Sequence, residues 1–173
     1  MHFVGPSNAF ADDCERILRS VPQWFGIEES LLEYVADSRR FPTFVAIDAE
    51  PIAFVTVRQH FPQAWEVHCV AVHATRRNSG VGKALHQHVE VWLQAQGASI
   101  LQVKTLSASD PSPEYAQTRG FYARMGYVPL EEFPTLWDPA LPVLQLVKWL
   151  GAPTSAACLG GWEQEEPGTL RNP

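Results

Sequence analysis

Residues 70–84 read Val70-Ala71-Val72-His73-Ala74-Thr75-Arg76-Arg77-Asn78-Ser79-Gly80-Val81-Gly82-Lys83-Ala84, and this stretch decides the fold. A β-branched run enters a basic, glycine-bearing turn, and a long segment of helical spacing follows. From Gly80 to Gln96, Val81, Ala84, Leu85, His88, Val91, Trp92 and Ala95 recur on one face, the spacing of an amphipathic helix. Gly97 stands where a helix-ending glycine belongs. The first N–H groups of a helix have no partner within it, and the helix dipole adds partial positive charge there. Gly80 and Gly82 clear side chains from the approach, and Arg76, Arg77 and Lys83 add charge at its rim. The turn is therefore built to take an anion such as phosphate.

Two other phosphate loops are excluded by the same residues. A P-loop needs Ser or Thr after its lysine, and Ala84 follows Lys83. A dinucleotide fingerprint needs a third glycine where Leu85 stands. What remains is Arg-x-x-Gly-x-Gly, from Arg77 to Gly82.

Outward from the loop, Trp65–Val72 reads as the strand that enters it and Ile100–Leu106 as the strand after the helix. A right-handed crossover makes these two parallel. Upstream, Ala11–Ser20 and Glu28–Arg39 have helical spacing, with the breaker-rich Pro22-Gln23-Trp24-Phe25-Gly26 between them. Thr43–Ile47 and Ile52–Gln59 form a hairpin about Asp48–Pro51. Downstream, Ser107–Pro113 is a loop, Glu114–Met125 a helix ended by Gly126, and Tyr127–Phe133 and Val143–Leu150 two strands joined by a Pro-containing segment. The expected fold is α/β, a mostly antiparallel mixed sheet with a central parallel pair and helices on both faces. Residues 1–150 make one domain, and 151–173, rich in Gly, Ala, Pro, Glu and Ser, a flexible tail.

A second motif, Thr118-Arg119-Gly120-Phe121-Tyr122-Ala123-Arg124-Met125-Gly126-Tyr127, lies on the later helix. With Arg77–Gly82 it resembles the GNAT (Gcn5-related) N-acetyltransferase superfamily. The first motif matches that family's Gln/Arg-x-x-Gly-x-Gly/Ala, which clasps the pyrophosphate of coenzyme A. The second matches its Ala-x-x-Phe-Tyr-x-x-x-Gly-Phe. The resemblance implies acetyl-CoA as acyl donor, bound by Arg77, Asn78, Ser79, Gly80, Val81, Gly82 and Lys83, with backbone groups of Val70 and Val72 along the pantetheine arm. It implies Tyr122 as the acid that protonates the departing thiolate. Two positions depart from the pattern: Tyr115 stands where members often carry a pantetheine-binding Asn, and Thr118 replaces the alanine.

Acetyl transfer to an amine needs a base, since a lysine-like amine titrates at about 10.4. Strand alternation places Glu66, His68, Val70 and Val72 on one face, which makes Glu66 and His68 the two candidate bases. A histidine is suited to proton transfer near neutral pH, and a carboxylate needs a raised pKa or a water relay. Trp24 and Phe25 either plug the core or line the acceptor pocket, to which Glu66, Glu131, Glu132 and Trp137 can add.

Composition bounds the partners. The 173 residues are 46% hydrophobic, enough for one core, and the net charge of −6 speaks against nucleic acid as the main partner. Cys14, Cys69 and Cys158 are odd in number and widely spaced, so they read as free thiols in a reducing compartment, with no metal-ligand cluster. Neither a signal peptide nor an apolar run of membrane-spanning length is present in the sequence, so a cytoplasmic location without membrane attachment is expected. The expected activity is N-acetylation of a primary amine of a small molecule or peptide by direct attack. A non-catalytic acyl-CoA sensor and a tRNA-acetylating toxin of the same fold are the alternatives. The resemblance also allows a homodimer.

Overall fold

The computed structural model describes residues 1–151. In chain order the elements are β1 (His2–Val4), α1 (Ala11–Arg19), α2 (Glu28–Ser38), β2 (Thr43–Asp48), β3 (Glu50–Phe61), β4 (Ala64–Val72), a 3₁₀ turn (Ala74–Arg76), α3 (Val81–Ala95), β5 (Ile100–Leu106), α4 (Pro113–Arg124), β6 (Val128–Asp138) and β7 (Leu141–Trp149). Seven strands make one sheet in the order β1-β2-β3-β4-β5-β7-β6. β4 and β5 are parallel, and every other neighbouring pair is antiparallel. The mixed α/β sheet with its parallel pair is the expected one. The expected tail lies, apart from Gly151, outside the described residues. No helix among the described residues is long and apolar enough to cross a membrane.

Apolar residues on each face of the sheet bury a separate core. On one face Val55, Val57, Val67 and Val103 pack with Leu85, Val89 and Leu93 of α3 and with Tyr122 and Met125 of α4. On the other, Val45, Phe54, Cys69 and Ala71 pack with Cys14, Ile17 and Leu18 of α1 and Val35 of α2. Burying such a side chain stabilises by roughly 1.5–3 kcal/mol, so both helical layers are firmly attached to the sheet.

Three local readings are corrected. β1 was not expected: three residues are too few to show a period, yet they pair with residues 45–47. The Pro-containing connection after Phe133 is instead strand, since β6 runs to Asp138 and β7 begins at Leu141. Pro129 and Pro134 fit because β6 is the outermost strand, where a missing N–H need cost no ladder bond. In α3 the buried stripe is Val81, Leu85, His86, Val89 and Leu93, while Val91 is 66% exposed. The helix is where periodicity puts it, but its inward face is rotated, and His86 is fully buried.

One irregularity positions the site. Thr56 pairs with Cys69 but Val57 pairs with Val67, so His68 is an extra residue in β4, a β-bulge. The extra residue reverses the alternation. Trp65 and Val67 face α3, and so do Val70 and Val72, while Cys69 and Ala71 face α1 and α2. The expectation that Glu66, His68, Val70 and Val72 share one face is therefore overturned. Glu66 and His68 lie on the α1/α2 side, and the two valines lie opposite.

Candidate active site

β4 and β5 pair only at Ala64–Ile100, Trp65–Leu101 and Glu66–Gln102. Both continue as strands to Val72 and Leu106, but they diverge just where His68 bulges. The gap opens into a cleft of about 1420 Å³ lined by residues 67–72, 103–106, 76–83, the start of α4 and the α1–α2 connection. Backbone groups of β4 are left facing it. The His73 N–H donates to the Ile52 carbonyl at 2.8 Å, so antiparallel alternation turns Ala71 and Cys69 toward β3 as well. Val70 and Val72 then turn their N–H and C=O groups toward the gap, where no strand among the described residues pairs with them.

At one end of the cleft sits the glycine turn. Asn78 and Gly80 have positive φ values of 60° and 82°, which swing the chain from the 3₁₀ turn into α3. No side chain caps α3, and its first bond runs from the Ala84 N–H to the Gly80 carbonyl at 3.0 Å. The N–H groups of Val81, Gly82 and Lys83 have no acceptor within the helix. A Cβ on Gly82 would lie 3.1 Å from the Val72 side chain, so glycine lets the helix start lie close against β4. Ser79 Oγ–H donates to the Arg76 carbonyl at 2.5 Å and braces the turn. Arg76 is held by Asp48, and Arg77 stacks 3.8 Å over the Trp24 ring.

The proton-handling groups lie farther in. His68 Nε2 donates to Asp37 Oδ2 at 2.8 Å, and its ring meets the edges of Tyr34 and Phe41. An ionised carboxylate can only accept, so Nε2 is the donor in this bond. Tyr122 is 2% exposed and borders the cleft. Burial raises its phenol well above the ordinary range, and neighbouring Cys69 and Tyr34 raise it further. Tyr122 belongs to the core under α3, whereas Cys69 and Tyr34 belong to the core under α1 and α2. Burial likewise raises the Cys69 thiol far above its ordinary value, which leaves it protonated and a poor nucleophile.

Glu66 does not join this group. It is not among the residues lining the cleft, and its oxygens are engaged by His60 Nε2 at 2.6 Å and Lys104 Nζ at 2.8 Å. Burial alone would raise its pKa, but the hydrogen bonds from Lys104 and His60 outweigh that and hold it below the ordinary value. Trp24 and Phe25 line the cleft, as does Trp137, whereas Glu131 and Glu132 are exposed on β6 away from it. Sequence reasoning missed Asp37. It is 31 residues from His68, and the only signal is its place three residues after Tyr34 on one turn of α2.

Similarity to known proteins agrees with this geometry. The model of the "Acetyltransferase (GNAT) family" matches residues 10–127. An aminoglycoside 6'-N-acetyltransferase solved with coenzyme A is 18% identical, with 90% of this chain and 100% of that one covered at a TM-score of 0.69. The ribosomal-protein-S18-alanine N-acetyltransferase of Escherichia coli is 14% identical, with 87% and 94% covered at 0.68. A Salmonella typhimurium protein solved with its cofactor acetyl-CoA is 14% identical, with 90% and 96% covered at 0.68. No curated protein gives a significant match in sequence.

Because Glu66 is held ionised, its ion pairs contribute stability above its ordinary pKa of 4.5 and lose it as pH falls through the depressed folded value. Glu66→Gln should lower stability by about 1–3 kcal/mol at pH 7. The gap from wild type should shrink below pH 4.5, as read from denaturant midpoints. A gap independent of pH would contradict the ionised pairing.

Proposed function

Because the chain belongs to the GNAT acetyltransferase family, we propose that it moves an acetyl group from acetyl-CoA to a primary amine of a small molecule or peptide by direct attack. The supporting observation is the gap between β4 and β5. It presents strand backbone of β4 along its length and a helix N-terminus without a side-chain cap at one end, with a buried phenol bordering it and a histidine–aspartate pair inside.

The residues fit a donor that is anionic at one end and carries amides along a thin arm. The N–H groups of Val81, Gly82 and Lys83, with the Lys83 ammonium, hold the pyrophosphate. Asn78 and Ser79 shape the turn, and Arg77 adds charge beside it. Val70 and Val72 offer the arm the bonds a neighbouring strand would otherwise make, and the Val70 N–H is the donor aimed at the carbonyl oxygen. Acetyl-CoA supplies a thioester carbonyl open to attack.

His68 accepts the proton of the amine at Nδ1, while Asp37 holds the opposite nitrogen and fixes the tautomer. Tyr122, kept protonated by burial, delivers its phenol proton to the leaving sulfur. Cys69, kept as a thiol by the same burial, favours direct attack over an acyl-enzyme. Proton-transfer groups serve turnover, so an enzyme is favoured over a sensor. The acceptor side carries Trp24, Phe25, Tyr34 and Trp137, which suit an amine attached to an apolar or aromatic body.

Calorimetric titration with acetyl-CoA in the absence of amine should give one saturable site per chain, and no binding at millimolar ligand would overturn the reading. Tyr122→Phe and His68→Gln should each lower kcat by roughly 10²-fold with donor affinity nearly unchanged. Turnover at the wild-type rate in either variant removes that residue from the mechanism. Gly82→Val should instead weaken donor binding by roughly tenfold or more, since a displaced helix start loses charge-assisted bonds to phosphate.

A further inference from the structure

Trp24 joins three elements that are distant in sequence. Its indole N–H donates to Thr118 Oγ1 at 3.0 Å and to the Glu114 carbonyl at 3.3 Å. Its own carbonyl accepts from the Tyr115 hydroxyl at 3.1 Å. Its ring carries the Arg77 guanidinium at 3.8 Å. Thus the α1–α2 connection is bound both to the first turns of α4 and to the loop that follows β4. Ser20 Oγ adds a second tie by accepting the Ala74 N–H at 3.0 Å.

The placement of these contacts matters. β4 and β5 run parallel and are joined only at their first residues, so their far ends stand open. α4 follows β5, and the Arg77 loop follows β4. Trp24 spans from the one to the other. The gap is therefore a closed ring, sealed by strand pairing at one end and by Trp24 at the other.

A half-buried tryptophan held by packing alone needs no such set of partners. Here its indole N–H, its carbonyl and its ring face are taken by Thr118, Tyr115 and Arg77, each of which lines the same cleft.

We propose that Trp24, fixed by Thr118 and Tyr115, is a positioning residue that closes this ring around the donor's arm and sets how long the donor stays bound. The proposal rests on the acetyl-CoA reading above. A ligand threaded through the gap leaves either by sliding back past Arg77 or by parting Trp24 from α4. With the bridge intact the second route is shut. Arg77, resting on the same ring, ties the phosphate loop to the bridge, so that loosening one loosens the other.

The test is the dissociation rate of coenzyme A, measured by surface plasmon resonance over the immobilised full chain. The double variant Thr118→Val with Tyr115→Phe removes the bonds to the Thr118 and Tyr115 hydroxyls, leaves the 3.3 Å bond to the Glu114 carbonyl, and keeps the ring. It should release coenzyme A roughly tenfold faster, two net hydrogen bonds being lost. Thr118→Val alone, which serves if the double variant does not fold, should show a smaller increase. Thr118→Ser, which keeps the hydroxyl, should restore the wild-type rate. Wild-type release from a folded double variant overturns the bridge, as does a Thr118→Ser variant as fast as Thr118→Val, because packing rather than the bond would then be responsible. Both results leave donor binding intact. Failure of wild-type protein to bind coenzyme A would instead overturn the acetyl-transfer reading and the bridge together.

Discussion

The site depends on one extra residue in a strand. An uninterrupted β4 would keep its alternation and could pair with β5 to the end, and the sheet would have no opening. The bulge at His68 bends β4 away immediately after its last pair with β5. It also turns His68 toward α2 while leaving Val70 and Val72 on the α3 side. The proposed proton acceptor and the backbone groups proposed to hold the donor are thereby served from neighbouring positions on opposite faces. An ordinary strand would put His68 and Val70 on the same side.

Charge is distributed to suit a ligand that changes character along its length. The α3 start presents unpaired N–H groups and Lys83. Deeper in, Asp37 and Glu33 border the cleft, with Asp37 engaged by His68. Glu66 stays out of this division because Lys104 and His60 neutralise it where it stands. The ion pair joins the facing residues of β4 and β5 just where they part, Lys104 lying two residues beyond Gln102. A carboxylate that looks like a base in the sequence therefore acts as a clasp at the root of the gap.

What was legible in the sequence was local. The strand, the glycine turn and α3 lie within 32 consecutive residues, from Ala64 to Ala95, so turn chemistry and period suffice to read them. The Phe121-Tyr122 pair is read from a short motif for the same reason. The inward face of α3 was read wrongly because the apolar residues spread over more than half its circumference, and only packing against β3 and β4 selects among them. The bulge was illegible, since Val67-His68-Cys69 carries no glycine or turn residue to mark it. The His68–Asp37 pair and the Trp24 contacts with α4 join positions 31 to 94 residues apart, and no spacing rule reaches that far. Even so, Tyr115 and Thr118, two departures from the family pattern, are side chains that hydrogen-bond Trp24. A departure from a motif can thus mark where a chain has built a contact of its own.

The position of Tyr122 shows how much of the fold supports the chemistry. Its ring packs between Phe121 and Tyr127, with centroids 5.3 and 5.2 Å away, and against buried His86. His86 Nε2 is bonded to the Tyr127 hydroxyl at 3.0 Å and lies 3.2 Å from Glu90, which in turn pairs with Lys148 of β7. Two helices and the strand beside β5 are thus tied around one ring. In the proposed mechanism the Tyr122 phenol meets a leaving sulfur, and holding it in place before the donor arrives avoids the entropy cost of ordering a free side chain at that moment. A polar network inside an apolar layer is expensive unless its members satisfy one another. In α3, His86 Nε2 and Glu90 are partnered in this way by Tyr127 and Lys148.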